Sequence, residues 1–192
     1  DAYSALLRAR HRYDDCPPQL DSEKVLKALK PVLENSAIAK FGYDLKQTKH
    51  LLENHGIELR PLKFDALLAS YVTNSVASRH KLSDIAQTYL GTEEKSIAEE
   101  LGKGRNKISL NEVAIETMTP FAAEKADFIM RASIALNERL AATGHLLGLY
   151  DYYELPLIEV LQKMERNGIS VDVQLLTQHS KELAEKLKQL EQ

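Results

Sequence analysis

Short apolar segments alternate with segments of helical periodicity between Ile38 and Tyr89, and this alternation restricts the fold more than any other feature. The segment Ile38–Phe41 ends at Gly42, so it is predicted as a brief strand. The segment Ile57–Pro61 alternates apolar and polar side chains, which also predicts a strand. Strands that alternate with helices indicate an α/β domain of two or three layers. The pattern does not determine the order of the strands.

The helices are predicted from apolar spacing and from the residues that cap helix ends. Asp21-Ser22-Glu23 offers capping groups before the first helix, and Gly56 ends the second. The predicted helices are Asp21–Leu33, Asp44–Asn54, Asp65–Asn74, Leu82–Tyr89, Asn111–Ala142 with an interruption near Pro120, Tyr152–Asn167 and Val173–Gln192. Two further short strands are predicted at Ala2–Leu7 and Ile169–Asp172.

The composition is that of a globular chain. Hydrophobic residues make up 44% and charged residues 28% of the 192 positions, with a formal charge of −3. No apolar run reaches the roughly 18 to 20 residues of a membrane-spanning helix, and no signal-peptide pattern opens the chain. Cys16 is the single cysteine, which excludes an internal disulfide and a multi-cysteine zinc site. We therefore expect a cytoplasmic protein with no membrane partner, whose mild acidity argues against tight, independent binding of duplex DNA.

Metal-assisted phosphodiester cleavage requires several carboxylates that converge on two divalent cations. The predicted strands near Phe41 and Leu59 contain no Asp-x-Glu pair and offer only Glu58. The six histidines are scattered, without the spacing of metal ligands. The basic stretches Gly102–Lys107 and Arg79–Lys81 each have two interpretations, a site for a phosphate group or a solvated surface.

Five segments together carry a family pattern over nearly the whole chain. They are Asn54–Arg60, Phe64–His80, Gly102–Lys107, Glu154–Leu161 and Met164–Asp172. The first three are similar to the proofreading 3′–5′ exonuclease domain of bacterial DNA polymerase I, and Phe64–His80 matches it without a gap. The last two resemble the junction at which that domain enters the polymerase thumb.

The resemblance implies an α/β, ribonuclease H-like exonuclease fold with a short mixed sheet and flanking helices. It also implies two parts. Residues 1–150 would form an exonuclease-like domain that lacks the first strand of the family. Residues 151–192 would form the junction and the first helices that lead to the polymerase domain.

Family members that cut DNA use four acidic metal ligands in three motifs, and a tyrosine orients the attacking water. The first motif, Asp-x-Glu, has no counterpart in this chain. The second motif resembles Asp44–Thr48, which places Thr48 at the position of the ligand aspartate. The third motif resembles Phe121–Lys125, which places Phe121 at the tyrosine and Lys125 at the ligand aspartate.

These replacements predict a degenerate site with no catalytic residue and no bound metal. The neutral hydroxyl of Thr48 is a weak ligand for a hard cation, and the ammonium of Lys125 repels one. Phe121 lacks the hydroxyl that would orient water. Asp44, one helical turn before Thr48, is the alternative ligand. Mg²⁺ or Mn²⁺ is expected only if the domain still cuts DNA.

Two cations fall where the family contacts the single-stranded 3′ end of DNA. They are Lys46 and Arg79, and both positions also suit ordinary solvated cations. The resemblance therefore implies DNA and a covalently linked polymerase domain as partners, in the bacterial cytoplasm at the nucleoid.

Three functional hypotheses follow. The preferred one is an exonuclease-like domain of DNA polymerase I that has lost catalysis and has a structural, nucleic-acid-contacting role in DNA replication and repair. The second is an active 3′–5′ proofreading exonuclease with divalent ions bound near Asp44 and Glu124. The third is a stand-alone module that binds nucleic acid or protein.

Overall fold

The computed structural model of the chain describes residues 11–93, 101 and 108–191. The chain divides into two compact units, Asp1–Gln162 and Lys163–Gln192. The helices are α1 (Ser22–Leu33), α2 (Leu45–Glu53), α3 (Ala66–Thr73), α4 (Leu82–Ile85), α5 (Ile115–Ala142), α6 (Leu146–Leu149), α7 (Leu155–Asn167) and α8 (Val173–Leu190), and the strands are β1 (Lys40–Gly42) and β2 (Leu62–Asp65). The π-helical turns Ala86–Leu90 and Tyr150–Glu154 continue α4 and α6, and a 3₁₀ turn spans Leu110–Glu112.

The two described strands form a parallel pair. Phe41 of β1 lies opposite Phe64 of β2, and Gly42 lies opposite Asp65. A mixed sheet was expected, whereas the pair seen in the described part of the chain is parallel throughout. A parallel connection needs a crossover, and α2 supplies it between β1 and β2.

The main core lies where α3 packs against the long helix α5. Small residues allow these helices to approach closely, since Ala66, Ala69 and Ala132 are fully buried. The other buried members of this core are Phe64, Ile85, Leu136, Leu140 and Tyr150. Burial of each large apolar side chain contributes roughly 1.5 to 3 kcal/mol, so this contact is a principal source of stability.

A second core joins α1, α2 and the first half of α7. Its buried residues are Leu26, Leu45, Leu52, Ile57, Leu59 and Ile158. The polar contacts at the same face are an ion pair between Lys49 and Glu159 at 3.2 Å and a hydrogen bond from Gln162 to Glu53. The first half of α7 is therefore held to α2 by apolar and polar groups together.

The strand predicted at Ile57–Pro61 is wrong, because β2 begins only at Leu62. The alternation that favoured it reflects burial without strand pairing, since Ile57 and Leu59 both point into the second core. Two backbone amides of this segment donate hydrogen bonds to carbonyl oxygens of helices α2 and α1. Ile57 N–H donates to Leu52 O and Arg60 N–H donates to Leu33 O, each at 3.1 Å.

Two other predictions of secondary structure are also wrong. Residues 168–172 form no strand, and the apolar side chains of Ile169 and Val171 are exposed there. Helix α5 runs without interruption through Pro120, its sixth residue. Proline removes one helical hydrogen bond, which would have used the carbonyl of Glu116; both residues are exposed, so water can satisfy that carbonyl.

The remaining helices are confirmed with shifts of a few residues at their ends, and aspartates cap several of them. Asp21 accepts a hydrogen bond from Lys24 N–H, and Asp172 accepts one from Leu175 N–H. The segments predicted at Ala2–Leu7 and Gly102–Lys107 lie outside the described residues. None of the helices that the structure describes is long and apolar enough to cross a membrane.

Candidate functional site

A cavity of about 310 Å³ lies between β1, α2 and α5, and we call it the central cavity. Its lining residues are Leu33, Lys40, Phe41, Gly42, Tyr43, Leu45, Thr48, Leu52, Leu59, Ala126, Ile129 and Met130. The fold thereby brings Thr48, which is predicted to stand in the second motif, to the same cavity as Ala126, which directly follows the segment predicted as the third motif.

The hydroxyl of Thr48 is engaged with its own helix. It donates to the carbonyl oxygen of Asp44 at 3.2 Å, one turn earlier on α2. A threonine that bonds back to its helix satisfies its donor locally. Thr48 therefore presents a neutral, half-buried side chain to the central cavity.

Phe121 and Lys125, the two residues predicted to replace the tyrosine and aspartate of the third motif, contact each other. The ammonium of Lys125 lies 4.7 Å from the centroid of the Phe121 ring, one turn apart on α5. The face of an aromatic ring attracts a cation, so this pair is a cation–π contact. The nearby acid Asp127 is exposed and forms an ion pair with Arg131 at 3.2 Å.

A pair of divalent cations does not fit the donor groups at this site. No carboxylate lines the central cavity among the described residues, and its one charged lining group is the ammonium of Lys40. Within residues 11–93 and 108–191, no three histidine, cysteine or acidic side chains are grouped to hold a metal ion. Hard cations such as Mg²⁺ require several oxygen ligands, and Thr48 and Lys125 supply none that is anionic.

Lys46 and Asp44 line a different cavity from Thr48. This second cavity, of about 270 Å³, lies at the start of α2 and is also lined by Asp65 and Glu154. Lys46 and Thr48 are two residues apart on one helix, so their side chains leave it on nearly opposite faces. The proposed role of Lys46 in nucleic-acid binding thus stays a prediction, at a position separated from the central cavity.

Arg79 is exposed in the segment that joins α3 to α4, next to the well-anchored His80. The Tyr43 hydroxyl donates to the carbonyl oxygen of His80 at 3.0 Å. The His80 Nδ1 lies 2.9 Å from Ser70 Oγ, and its ring packs edge-on against Tyr71. Tyr43 also lines the central cavity, so the residue after Arg79 is tied to the cavity wall.

Sequence reasoning missed the importance of Asp65, the most connected acid near the site. Its carboxylate accepts hydrogen bonds from the amides of Asp44, Leu45, Leu67 and Leu68 at 2.7 to 3.3 Å. Burial raises the pKa of the Asp65 carboxyl, and these four hydrogen bonds oppose the rise. An aspartate directly before a helix is a sequence signal for a helix cap. The sequence does not show that the same carboxylate also accepts hydrogen bonds from the amides at the start of α2.

Tyr150 is the buried partner of this aspartate and was also missed. Its hydroxyl oxygen accepts from Asp65 N–H at 2.6 Å and lies 3.3 Å from the Asp65 carbonyl oxygen. Burial raises the pKa of the Tyr150 phenol above its ordinary value, so the group stays neutral. Together Asp65 and Tyr150 fix the end of β2 to the turn that precedes α7.

The chain matches a known protein family over most of its described length. Residues 17–132 match the family model described as DNA polymerase I, ribonuclease H-like domain. The chain is 39% identical over 190 residues to DNA polymerase I of Pseudomonas aeruginosa, covering 98% of this chain and 21% of the relative. It is 31% identical over 169 residues to DNA polymerase I of Bacillus subtilis, covering 86% of this chain and 18% of the relative. The chain thus spans about a fifth of the length of these curated relatives.

Solved structures agree with this assignment. The Pol1 polymerase domain from M. smegmatis, in complex with DNA primer-template and dNTP, superposes with a TM-score of 0.70 at 25% identity, covering 89% of this chain and 26% of that one. Brucella melitensis NrnC bound to pGG superposes with a TM-score of 0.56 at 20% identity, covering 74% and 67%, which supports the ribonuclease H-like fold alone. The chain belongs to the ribonuclease H-like, 3′–5′ exonuclease domain family of bacterial DNA polymerase I.

Proposed function

We propose that this chain is an exonuclease domain of DNA polymerase I that no longer cleaves DNA and serves as a structural, nucleic-acid-contacting module. The observation that carries the proposal is the chemistry of the central cavity. Thr48 lines it with a neutral hydroxyl that is already hydrogen-bonded, and no described carboxylate joins it. Lys125 directly precedes the lining residue Ala126, and its ammonium lies over the Phe121 ring.

Loss of the acids removes the electrostatic basis of two-metal catalysis. Such a reaction needs anionic ligands that hold the cations and a cation that lowers the pKa of the attacking water. A neutral hydroxyl and an ammonium group provide neither, and an ammonium adds repulsion between like charges. Asp44 does not replace the missing ligand, because its carboxylate caps α2 and lines the second cavity.

The structural part of the proposal places a polymerase domain after this chain, in the same polypeptide. The relatives named above carry the name DNA polymerase I and are about five times longer. The boundary that we propose between the exonuclease-like domain and the junction lies between residues 150 and 151. The contact between α7 and α2 would stabilise the start of that junction. A role in replication and repair would place the protein at the nucleoid, in the bacterial cytoplasm.

Single-stranded DNA ends are the proposed nucleic-acid partner. Arg79 is exposed beside a segment anchored to the wall of the central cavity, so it is available to a phosphate group. Lys46 is the weaker candidate, since it faces the second cavity, which three carboxylates also line.

A nuclease assay with Mn²⁺ tests this function. The assay uses 5′-labelled single-stranded DNA and a form of the protein that includes any residues encoded before Asp1. We expect an intact oligonucleotide. The variant that combines Thr48→Asp, Phe121→Tyr and Lys125→Asp should bind Mn²⁺ more tightly in calorimetry than the unaltered protein does. Stepwise 3′ shortening by the unaltered protein would instead establish the proofreading alternative.

A further inference from the structure

Helix α8 carries apolar residues at the spacing of a seven-residue, or heptad, repeat. With its first residue at position a of the repeat abcdefg, the a and d positions are occupied by Val173, Leu176, Ser180, Leu183, Leu187 and Leu190, which we call the heptad seam. The alternating spacing of three and four residues continues through the whole helix, and Ser180 is the single polar member. A helix with this repeat packs along its seam against a second helix of the same kind.

The heptad seam is open to solvent in the described part of the chain. Its five apolar residues are each more than half exposed, and none of the 18 residues of α8 is buried. A helix of this length without tertiary packing is only marginally stable in water. Burial of the seam against a partner would therefore stabilise the helix as well as the complex.

The charged residues beside the seam favour one orientation of two copies. Lys186 occupies a g position and Glu191 an e position, and both are exposed. In a parallel pair of helices, each g residue faces the e residue that lies five positions later in the partner. Lys186 of each copy then faces the partner's Glu191, and the two-fold symmetry of the pair forms this ion pair twice.

An antiparallel pair brings less favourable groups together. In that orientation g residues face g residues, so Lys186 lies beside the partner's His179, which supplies no negative charge. The polar seam residue Ser180 would face an apolar residue, the partner's Leu183. In the parallel pair the two Ser180 hydroxyls face each other instead, and each hydroxyl can donate to and accept from the other.

We propose that α8 binds a second copy of this chain as a parallel, two-stranded coiled coil, with the heptad seam buried and Lys186 paired with the partner's Glu191. Leucine at every d position is typical of this arrangement. The interface lies outside the central cavity, so the inference does not depend on whether the domain cleaves DNA. A seam of 18 residues is short, and small interfaces of this kind give weak, reversible association.

Sedimentation equilibrium of the whole chain, at concentrations up to about 1 mM, tests the ion pair through the dissociation constant of the dimer. Lys186→Glu and Glu191→Lys should each weaken the dimer by about 2- to 30-fold, the range for loss of two exposed ion pairs. The double variant exchanges the two charges and should recover the affinity of the unaltered chain. Lys188→Glu reverses the same charge at a b position, away from the seam, and is the matched control that should leave the affinity unchanged.

Disulfide cross-linking tests the orientation, in a Cys16→Ser background that leaves no other thiol. Leu190→Cys places a thiol at the last d position, where equivalent residues of a parallel pair lie side by side. Air oxidation should therefore link two copies of this variant. An antiparallel pair would place residue 190 beside residue 173 of the partner, so it would link a mixture of the Leu190→Cys and Val173→Cys variants instead.

Three outcomes would overturn the inference. They are a monomer at every concentration, a charge-exchanged double variant no tighter than the single variants, and cross-linking that occurs only in the mixture. The sedimentation measurement is repeated on a form that includes any residues encoded after Gln192. A monomer in that form would mean that another segment of the same polypeptide covers the heptad seam, which also overturns the inference.

Discussion

At the scale of single residues, Asp65 connects several elements close to the site. Its carboxylate receives amide hydrogen bonds from the start of α2 and the start of α3, and its backbone is bonded to Tyr150. The side chain and backbone of this one residue thus connect the starts of α2 and α3 with Tyr150.

We predict that Asp65→Asn lowers the free energy of unfolding by about 1 to 3 kcal/mol. The amide nitrogen would replace one carboxylate oxygen and leave a buried backbone N–H without an acceptor. Asp44→Asn is the matched control, because asparagine retains a capping oxygen and tolerates the positive φ of 55° at this position. Guanidinium unfolding measures both variants, and an equal effect of the two substitutions would contradict the role given to Asp65.

A second residue-scale prediction concerns pH and Glu34. The Lys30 ammonium at 2.8 Å, and then the Glu58 amide at 2.9 Å, hold the pKa of the Glu34 carboxyl below its ordinary value of 4.5. The unfolded chain therefore binds the proton more readily, and stability is lost as pH falls from 4.5 through the folded-state pKa. Glu34→Gln should show a smaller decrease in the guanidinium midpoint between about pH 6 and about pH 3, which bracket that ordinary pKa. A decrease as large as in the unaltered chain would exclude this role for Glu34.

At the scale of elements, the attachment of α7 to α2 depends on a buried lysine. The Lys49 ammonium is 3.2 Å from a Glu159 carboxylate oxygen and 3.3 Å from the carbonyl oxygen of Leu59. The Lys49 side chain is 9% exposed and that of Glu159 is 49% exposed. The pair therefore has one desolvated member and one member in contact with water.

We predict that Glu159→Ala lowers the free energy of unfolding by about 1 to 2 kcal/mol, because it leaves a buried ammonium without its carboxylate. The half-exposed carboxylate limits the effect, since water screens it. Adding Lys49→Met should restore much of the loss by removing the unpaired charge. Chemical denaturation of the two single variants and the double variant gives the coupling energy. Strictly additive effects would show that the ion pair does not stabilise the contact.

Helix ends illustrate what local sequence decides at this scale. Asp21, Asp44 and Asp172 each accept a hydrogen bond from the amide three residues later, so each cap is complete within one turn. Those helices were therefore predictable without tertiary information. The failed strand at Ile57–Pro61 is the opposite case, because alternating burial occurs wherever an extended chain crosses a core.

At the scale of the whole molecule, the unit Lys163–Gln192 leaves an apolar helix face exposed. Leu176, Leu183, Leu187 and Leu190 of α8 are each more than half exposed. An exposed apolar face of this kind favours association with another molecule in solution.

We predict that the isolated chain self-associates through α8. Sedimentation velocity over a range of protein concentrations should show a weight-average sedimentation coefficient that rises with concentration. The variant Leu183→Glu with Leu187→Glu should remain monomeric, whereas Lys181→Glu, which leaves the leucines intact, should behave like the unaltered chain. A monomer at every concentration would exclude self-association by this face.

The residues predicted to replace the family's motif residues were identified from the sequence alone. Thr48, Phe121 and Lys125 were assigned to motif positions from the sequence alone, and that assignment stays a prediction; none of the three side chains carries a carboxylate. The family resemblance was also recognisable from the sequence, because residue identities and spacings within short segments can be compared without a structure. Capping side chains belong to the same class, since their hydrogen bonds are local.

Only the tertiary structure decided which of these residues share a site. Thr48 and Ala126 come from helices far apart in the chain, and packing of α5 beside β1 and α2 brings them to one cavity. Lys46, only two residues from Thr48, lines another cavity because a helix turns by about 100° per residue. Tertiary packing also decided that the Phe41 ring is exposed and that the Asp65 carboxylate accepts buried hydrogen bonds. Both features depend on contacts between distant segments, and no pattern within a short window of sequence records those contacts.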